Sequence, residues 1–351
     1  MTVIFSDLHL RRETADICDR VLDFVGERAG QSGHIVFTGD FYMVRYQLDV
    51  RLQNMVKGHL DTWREQGIEV DIVPGNHDQV DVDGQNALQI FEAYDNVRVW
   101  TDPGSLLVGH TRFGFMPYRK SGVTDALKAL AAEDPDLIFA HLSAPGSVVN
   151  NGHKCEHPDE LPAGLPPLIL GHYHKHQQST AKVGAFPAWQ YVGSPYQTSY
   201  GEVGNVSGIL ELPPRLPDGS LPPPIFVDLE KEGVFAPRHF ILEWDPAANP
   251  EPPSRPGRDF DNVWLKIKAS RTMLVDGKFK GVLKTQGLDD VRVSVDPLPV
   301  ERDHRFQVPP GEELIVSAER FANERVGGCD DADARAITDA SVLMEALRRW
   351  Q

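Results

Sequence analysis

Seven residues in the first 174 positions have the types and the placement to hold divalent metal: Asp7, His9, Asp40, Asn76, His141, His172 and His174. Asp7 and His9 stand in Ser-Asp-Leu-His, directly after the apolar run TVIF. In extended backbone, residues two apart point the same way, so one carboxylate and one imidazole are expected to converge on one cation. Taken alone, Asp-x-His is a common pattern. Asp40 follows HIVF in Thr-Gly-Asp, where Gly39 lets the chain turn closely and the carboxylate has two oxygens to share between two metals. A lone Gly-Asp is more often a turn or a helix cap.

The run Pro74-Gly75-Asn76-His77-Asp78 is more specific. Asn76 offers a neutral carbonyl oxygen, which suits a hard or borderline divalent ion. His77, the next residue, is expected to face substrate as a proton donor, with Asp78 hydrogen-bonded to it and raising its pKa. His141 ends LIFAH, and His172 and His174 follow LIL in Gly-His-Tyr-His. One histidine at a strand end is usually structural, but three of them behind the earlier motifs make a metal site. Carboxylate, amide and imidazole without thiolate is the chemistry of Mn, Zn or Fe rather than of copper or a cluster. Sharing Asp40 fits a pair of ions roughly 3.5–4 Å apart that clamps an in-line phosphoryl displacement.

Other residues carry less. His153, Cys155 and His157 lie close together, but their spacing departs from structural zinc patterns. His176 is read either as a substrate contact or as an exposed side chain. Gly201 to Asn205 resembles no phosphate-cradling loop.

The elements that must position the seven donors read as alternating strands and helices. TVIFSD, HIVFTGD, VDIVPGNHD, LIFAH and LILGH are strand-like runs, each ending on a polar residue. Residues from about Thr14 to Ala29 and from Val50 to Glu65 carry apolar positions at helical spacing. In layered α/β folds, ligands gather at strand ends and in the loops after them. Beyond Ser199 the texture changes. PPRLPDGSLPPP (213–224) is a proline-rich loop, IFVDLE and HFILEW read as strands, and NPEPPSRPGR (249–258) reads as a linker. VWLKIKAS and VRVSVD suggest a small α/β unit. Two helices are expected near the end, one with Leu314, Ile315, Ala318, Phe321 and Ala322 on a face, the other with Ile337, Ser341, Met344 and Leu347. Such stripes serve equally for packing on their own domain or for binding a partner.

The 351 residues suggest two domains. No secretory leader and no membrane span is expected, and three separated cysteines without a CxxC pair point to a reducing cytoplasm. The net charge of −16 argues against a simple nucleic-acid binder. Residues 251–351 hold 16 Lys and Arg against 18 Asp and Glu, leaving 19 against 33 in residues 1–250. A chain this acidic would grip DNA weakly alone and is expected to borrow positive surface from a partner.

The order Asp-x-His, Gly-Asp, Gly-Asn-His-Asp, His, Gly-His-x-His resembles the calcineurin-like metallophosphoesterase superfamily over roughly the first 200 residues. GHYHKHQ and YVGSPYQTSYGE are similar to segments of its SbcD type, the nuclease subunit of bacterial and phage SbcCD complexes. The resemblance implies an α/β fold, a four-layer α/β/β/α sandwich with a smaller α/β capping domain and C-terminal helices. It implies a nuclease domain over 1–205, a capping and DNA-recognition region over 206–308, and a partner-binding helical segment over 309–351. Asp7, His9, Asp40 and His174 would hold one metal, and Asp40, Asn76, His141 and His172 the other, with Mn2+ first and Zn2+, Fe2+ or Mg2+ as alternatives. His77 and Asp78 would be the catalytic pair. The expected activity is metal-dependent cleavage of DNA in end processing, recombination or repair, with DNA and an SbcC-type ABC ATPase as partners; dimerisation stays open. Two departures stand out: Arg11 where the type has Gly soon after Asp-x-His, and Met43 where it often has His or Asp. Two other readings keep the site, one a phosphodiesterase acting on a small nucleotide diester, the other a silent metal-binding scaffold for the ATPase.

Overall fold

In the computed structural model the described residues are 1–43, 48–80, 86–149, 152–235, 237–245, 248–249, 251–255, 262–268, 283–288 and 292–296. By backbone packing the chain divides into Met1–Lys268 with Thr272–Asp296, and Ala269–Arg271 with Pro297–Gln351. The second unit, and with it the two expected C-terminal helices, lies outside the described residues.

In chain order the elements begin with β1 (Thr2–Phe5), α1 (Ala15–Ala29), β2 (His34–Phe37), α2 (Val50–Glu65), β3 (Glu69–Ile72) and β4 (Val97–Val99). They continue with β5 (Gly104–Val108), β6 (Thr111–Met116), α3 (Val123–Ala131), β7 (Leu137–His141) and β8 (Leu168–Gly171). Next come β9 (Gln177–Gln178), β10 (Lys182–Val183), β11 (Phe186–Pro187), β12 (Trp189–Tyr191) and β13 (Gly208–Leu212). The last are β14 (Ile225–Asp228), β15 (His239–Trp244), β16 (Asn262–Lys268) and β17 (Arg292–Asp296).

Two six-stranded mixed sheets dominate, in the orders β14-β13-β1-β2-β3-β4 and β5-β6-β7-β8-β12-β9. In the first, β1, β2, β3 and β4 run parallel, while β13 and β14 close one edge antiparallel. The sheet therefore runs past residue 205. In the second, β6, β7, β8 and β12 are parallel. A small all-parallel sheet, β15-β16-β17, and the hairpin β10-β11 complete the set. The proline-rich run at 213–224 is irregular, as its composition requires.

Burial on both faces explains why the central strands read as continuous apolar runs. In β1, Val3 and Phe5 face α1 and α2, whereas Ile4 joins a different cluster. In β2, Ile35 and Phe37 side with the helices and Val36 with that second cluster. The second cluster also takes Leu137 and Phe139 of β7 and Ile169 of β8, so the inner faces of the two large sheets meet there. The alternate residues Ile138, Ala140, Leu168 and Leu170 pack with Val123, Leu127 and Leu130 of α3. Helix α1 places Ile17, Val21, Leu22 and Val25 on its buried face, and α2 is capped by Asp49, whose side chain accepts from the Arg51 N–H. Among the described residues no helix is long and apolar enough to cross a membrane.

The parallel strands matter for chemistry because their C-terminal ends fall on one edge. Asp7, Asp40 and Asn76 follow β1, β2 and β3. His141 ends β7 and His172 follows β8.

Candidate metal centre

The two sheets bring all seven expected donors together. His9 Nε2 lies 2.9 Å from His174 Nε2 and 3.8 Å from Asp40 Oδ2, and His174 Nε2 is 4.0 Å from Asp7 Oδ1. On the other side, Asn76 Oδ1 is 3.0 Å from both His141 Nε2 and His172 Nδ1, and His141 Nε2 is 3.6 Å from Asp40 Oδ1. Asp40 thus presents one oxygen to each group. Asp7, His9 and His174 form one set with ligand atoms within 4.8 Å, and Asp40, His141 and His172 another. A third set, His9, Asp40 and His77, overlaps both.

The route to this convergence corrects the alternation argument. Strand β1 stops at Phe5, and Asp7 and His9 take left-handed backbone, with φ of 50° and 45°. Their N–H groups donate to Gly39 O and Asp40 O at 2.9 and 3.0 Å, so the loop after β1 is laced to the loop after β2. Asp40 (φ 62°) and His172 (φ 105°) are left-handed as well. Side chains that rarely adopt this conformation are held in it at four of the seven donor positions, the kind of strain that persists where surrounding contacts fix it. Those contacts are identifiable. Ser194 Oγ donates to Asp7 O at 3.2 Å, and the buried Tyr196 hydroxyl donates to Leu8 O at 2.7 Å, so the Gly-Ser-Pro segment braces the first loop.

The residues present fit divalent cations. Burial pushes the His9 and His141 imidazoles below their ordinary value and His172 down to about 3, leaving neutral rings with lone pairs to give. Burial raises the Asp7 carboxyl, a penalty that a cation beside it would reverse. A Cβ on Gly39 would lie 2.1 Å from His141 Nδ1, and one on Gly75 would lie 2.2 Å from Asp40 Oδ1. Only glycine leaves these ligands room.

His77 donates its backbone N–H to Asp40 Oδ1 at 2.7 Å, and its half-buried ring stands edge-on to His9 with centroids 4.9 Å apart. It lines a cavity of about 420 Å³ together with His9, Asp40, Asn76, His172 and His174. Met43, Val149, Tyr173 and Thr198 complete the wall, so the departure at Met43 sits at the site itself. The sequence places Asp78 on the His77 ring. Both of its oxygens are instead taken by backbone donors: Asp40 N, Phe41 N and Gly75 N at 2.8 Å and Tyr42 N at 3.2 Å. Burial and the charge of Asp40 push its carboxyl up to about 7, against the pull of those donors. Asp78 therefore ties the Gly-Asn-His-Asp loop to the Gly-Asp loop.

Three groups escaped the sequence reading. Thr38 O accepts from His141 Nδ1 at 2.8 Å, Ser6 Oγ donates to Asp7 Oδ2 at 2.7 Å, and Glu202 Oε1 lies 2.8 Å from His174 Nδ1. Glu202 is the acidic residue that ends the Gly-Ser-Pro segment YVGSPYQTSYGE, the one signal that pointed its way. His176 is structural. Its Nδ1 lies 2.9 Å from Tyr191 O and its ring stacks on Phe226. Cys155 accepts from the Tyr173 hydroxyl at 3.1 Å, and no metal-holding group among the described residues includes it.

No family model matches the chain. No curated protein matches it either. Among solved structures, similarity is found to a protein of unknown function, AQ665, from Aquifex aeolicus, at 15% identity and a TM-score of 0.25, covering 40% of this chain and 79% of that one. A second is the 5'-nucleotidase precursor from Thermus thermophilus, at 15% identity and a TM-score of 0.30, covering 64% of this chain and 53% of that one. Likenesses at this level carry no argument about activity.

Proposed function

We propose that the chain is a phosphodiesterase working with two divalent ions, and that its substrate is DNA. The observation that carries the reading is the convergence of seven donors in two groups that share Asp40, with His77 on the rim. Bound there, two cations would supply Lewis-acid stabilisation of phosphoryl oxygens and an activated water. Asp7, His9, Asp40 and His174 would hold one, and Asp40, Asn76, His141 and His172 the other, with Mn2+ first among the metals this donor set suits.

The chain's own residues do the rest. Asp40 spans both halves and fixes His77 through its backbone. The His77 imidazole, open to the cavity, gives a proton to the leaving oxygen. Asp78 holds the two loops in register so that Asn76 and Asp40 stay aimed inward. The same proposal takes the fold as a four-layer α/β/β/α sandwich, supported by three apolar clusters: one under α1 and α2, one between the large sheets and one under α3. In this reading the small sheet β15-β16-β17 belongs to the capping region.

The narrower assignment, an SbcD-type nuclease with an SbcC-type ATPase bound through residues 309–351, draws support from GHYHKHQ and YVGSPYQTSYGE. The net charge of −16 supports a partner that brings positive surface to the DNA. The test is cleavage of end-labelled linear duplex and circular single-stranded DNA with Mn2+, beside Asp40→Ala. Cutting that disappears in Asp40→Ala is expected. Fast turnover of a small nucleotide diester, with DNA left whole even beside the ATPase, would replace the DNA reading.

A further inference from the structure

Glu202 closes the short 3-10 turn Tyr200–Glu202 and is 2% exposed. Its carboxylate sits where four groups meet. Oε1 is 2.8 Å from His174 Nδ1, 2.5 Å from Thr198 Oγ1 and 3.1 Å from Ser199 Oγ, and Oε2 accepts Thr198 N–H at 2.7 Å. A side chain held at that many points does not swing. On the opposite edge of the same ring, His174 Nε2 faces His9 Nε2 and Asp7. The ring proton therefore belongs on Nδ1, toward Glu202, and the lone pair belongs on Nε2, toward the donor cluster.

The far nitrogens of two other site imidazoles are served differently. His141 Nδ1 faces the neutral carbonyl of Thr38 at 2.8 Å, and His9 Nδ1 is buried without a hydrogen-bond partner. A carboxylate behind one imidazole makes that ring a stronger ligand and lends negative charge to its half of the centre.

We propose that Glu202 is a positioning residue for the metal centre: it locks His174 in the ligating tautomer and strengthens cation binding at the Asp7–His9–Asp40–His174 half specifically. This rests on the two-ion reading above. The competing role is purely local, a pin for the loop from Thr198 to Glu202.

The test uses the full chain and Mn2+ alone, with free ion followed by electron paramagnetic resonance. Glu202→Gln keeps the shape and an acceptor oxygen but removes the charge; Glu202→Ala removes both. The wild type is expected to take up two ions. In Glu202→Gln one of them should bind roughly 10- to 100-fold more weakly while the other keeps its affinity, with a larger loss in Glu202→Ala. Thermal melts of the metal-free proteins provide the second readout, since a loop pin would lower the melting point without splitting the two affinities. Two ions bound unchanged by Glu202→Gln, or both weakened equally alongside a lower melting point, would overturn this proposal and leave the two-ion reading standing. Fewer than two ions in the wild type would overturn both.

Discussion

His9 Nε2 and His174 Nε2, 165 positions apart in sequence, stand 2.9 Å from one another at the ends of different sheets. Two neutral imidazoles turned lone pair to lone pair repel unless a proton or a cation lies between them. His9 is held well below its ordinary value by burial and by His174 and His77. Burial lowers His174 too, but its hydrogen bond to Glu202 and the charge of Asp7 raise it on balance, so a proton between the rings would belong to His174, whereas a cation would be reached by both.

Cation binding should therefore stabilise the fold. At 100 times its dissociation constant, Mn2+ is expected to add about 2.7 kcal/mol per site, seen as a higher urea midpoint. In Asp40→Ala most of that gain should vanish, because both halves lose an oxygen. A gain of equal size in Asp40→Ala would show that Mn2+ binds elsewhere.

Gly75 tests how tightly the cradle is packed. A Cβ there would lie 2.2 Å from Asp40 Oδ1 and 2.4 Å from Asp40 N, both held in place by neighbouring hydrogen bonds. Gly75→Ala is expected to cost about 1–3 kcal/mol of stability and to weaken Mn2+ uptake. Unfolding and Mn2+ titration both matching wild type would mean that the loop yields.

On the proposed reading, His77 should separate binding from chemistry. Its side chain lines the cavity while the seven donors stand without it. His77→Ala should bind Mn2+ normally and lower turnover by about 10²–10⁴-fold, the usual contribution of a positioned proton donor. Wild-type cleavage by that variant would remove the assigned role.

Asp71 supplies a pH test away from the centre. Its carboxylate, fully buried, takes His34 Nε2 at 2.7 Å, Arg98 Nε at 2.7 Å and Trp100 Nε1 at 2.8 Å. Burial alone would raise it, but the His34 and Arg98 hydrogen bonds outweigh burial and hold it below its ordinary 3.8. Stabilisation from a lowered carboxyl is complete above the unfolded value and fades as pH falls through the folded one. Asp71→Asn should cost about 3 kcal/mol at pH 7, with the gap to wild type narrowing below about pH 4. A gap that stays constant down to about pH 3 would contradict the ion pairing.

How much was legible follows from where each residue's signal lies. The seven donors sit within a few positions of strand ends, so apolar runs that stop at Asp, Asn or His disclosed them. Helices α1 and α2 were legible from spacing, with observed bounds Ala15–Ala29 and Val50–Glu65. The left-handed backbone at Asp7 and His9 was not, because it is set by hydrogen bonds to Gly39 and Asp40 rather than by local sequence. Asp78 reaches Asp40 across 38 positions with no local pattern to reveal it, and Glu202, 28 positions from His174, had only its place at the end of the Gly-Ser-Pro segment. The run from β4 through α3 carries none of the seven donors.

The most direct measurement is an anomalous difference map from crystals of the full chain grown with Mn2+. Two peaks roughly 3.5–4 Å apart, one bounded by Asp7, His9, Asp40 and His174 and the other by Asp40, Asn76, His141 and His172, are the expected result. A single peak, or peaks away from Asp40, would contradict the two-ion centre.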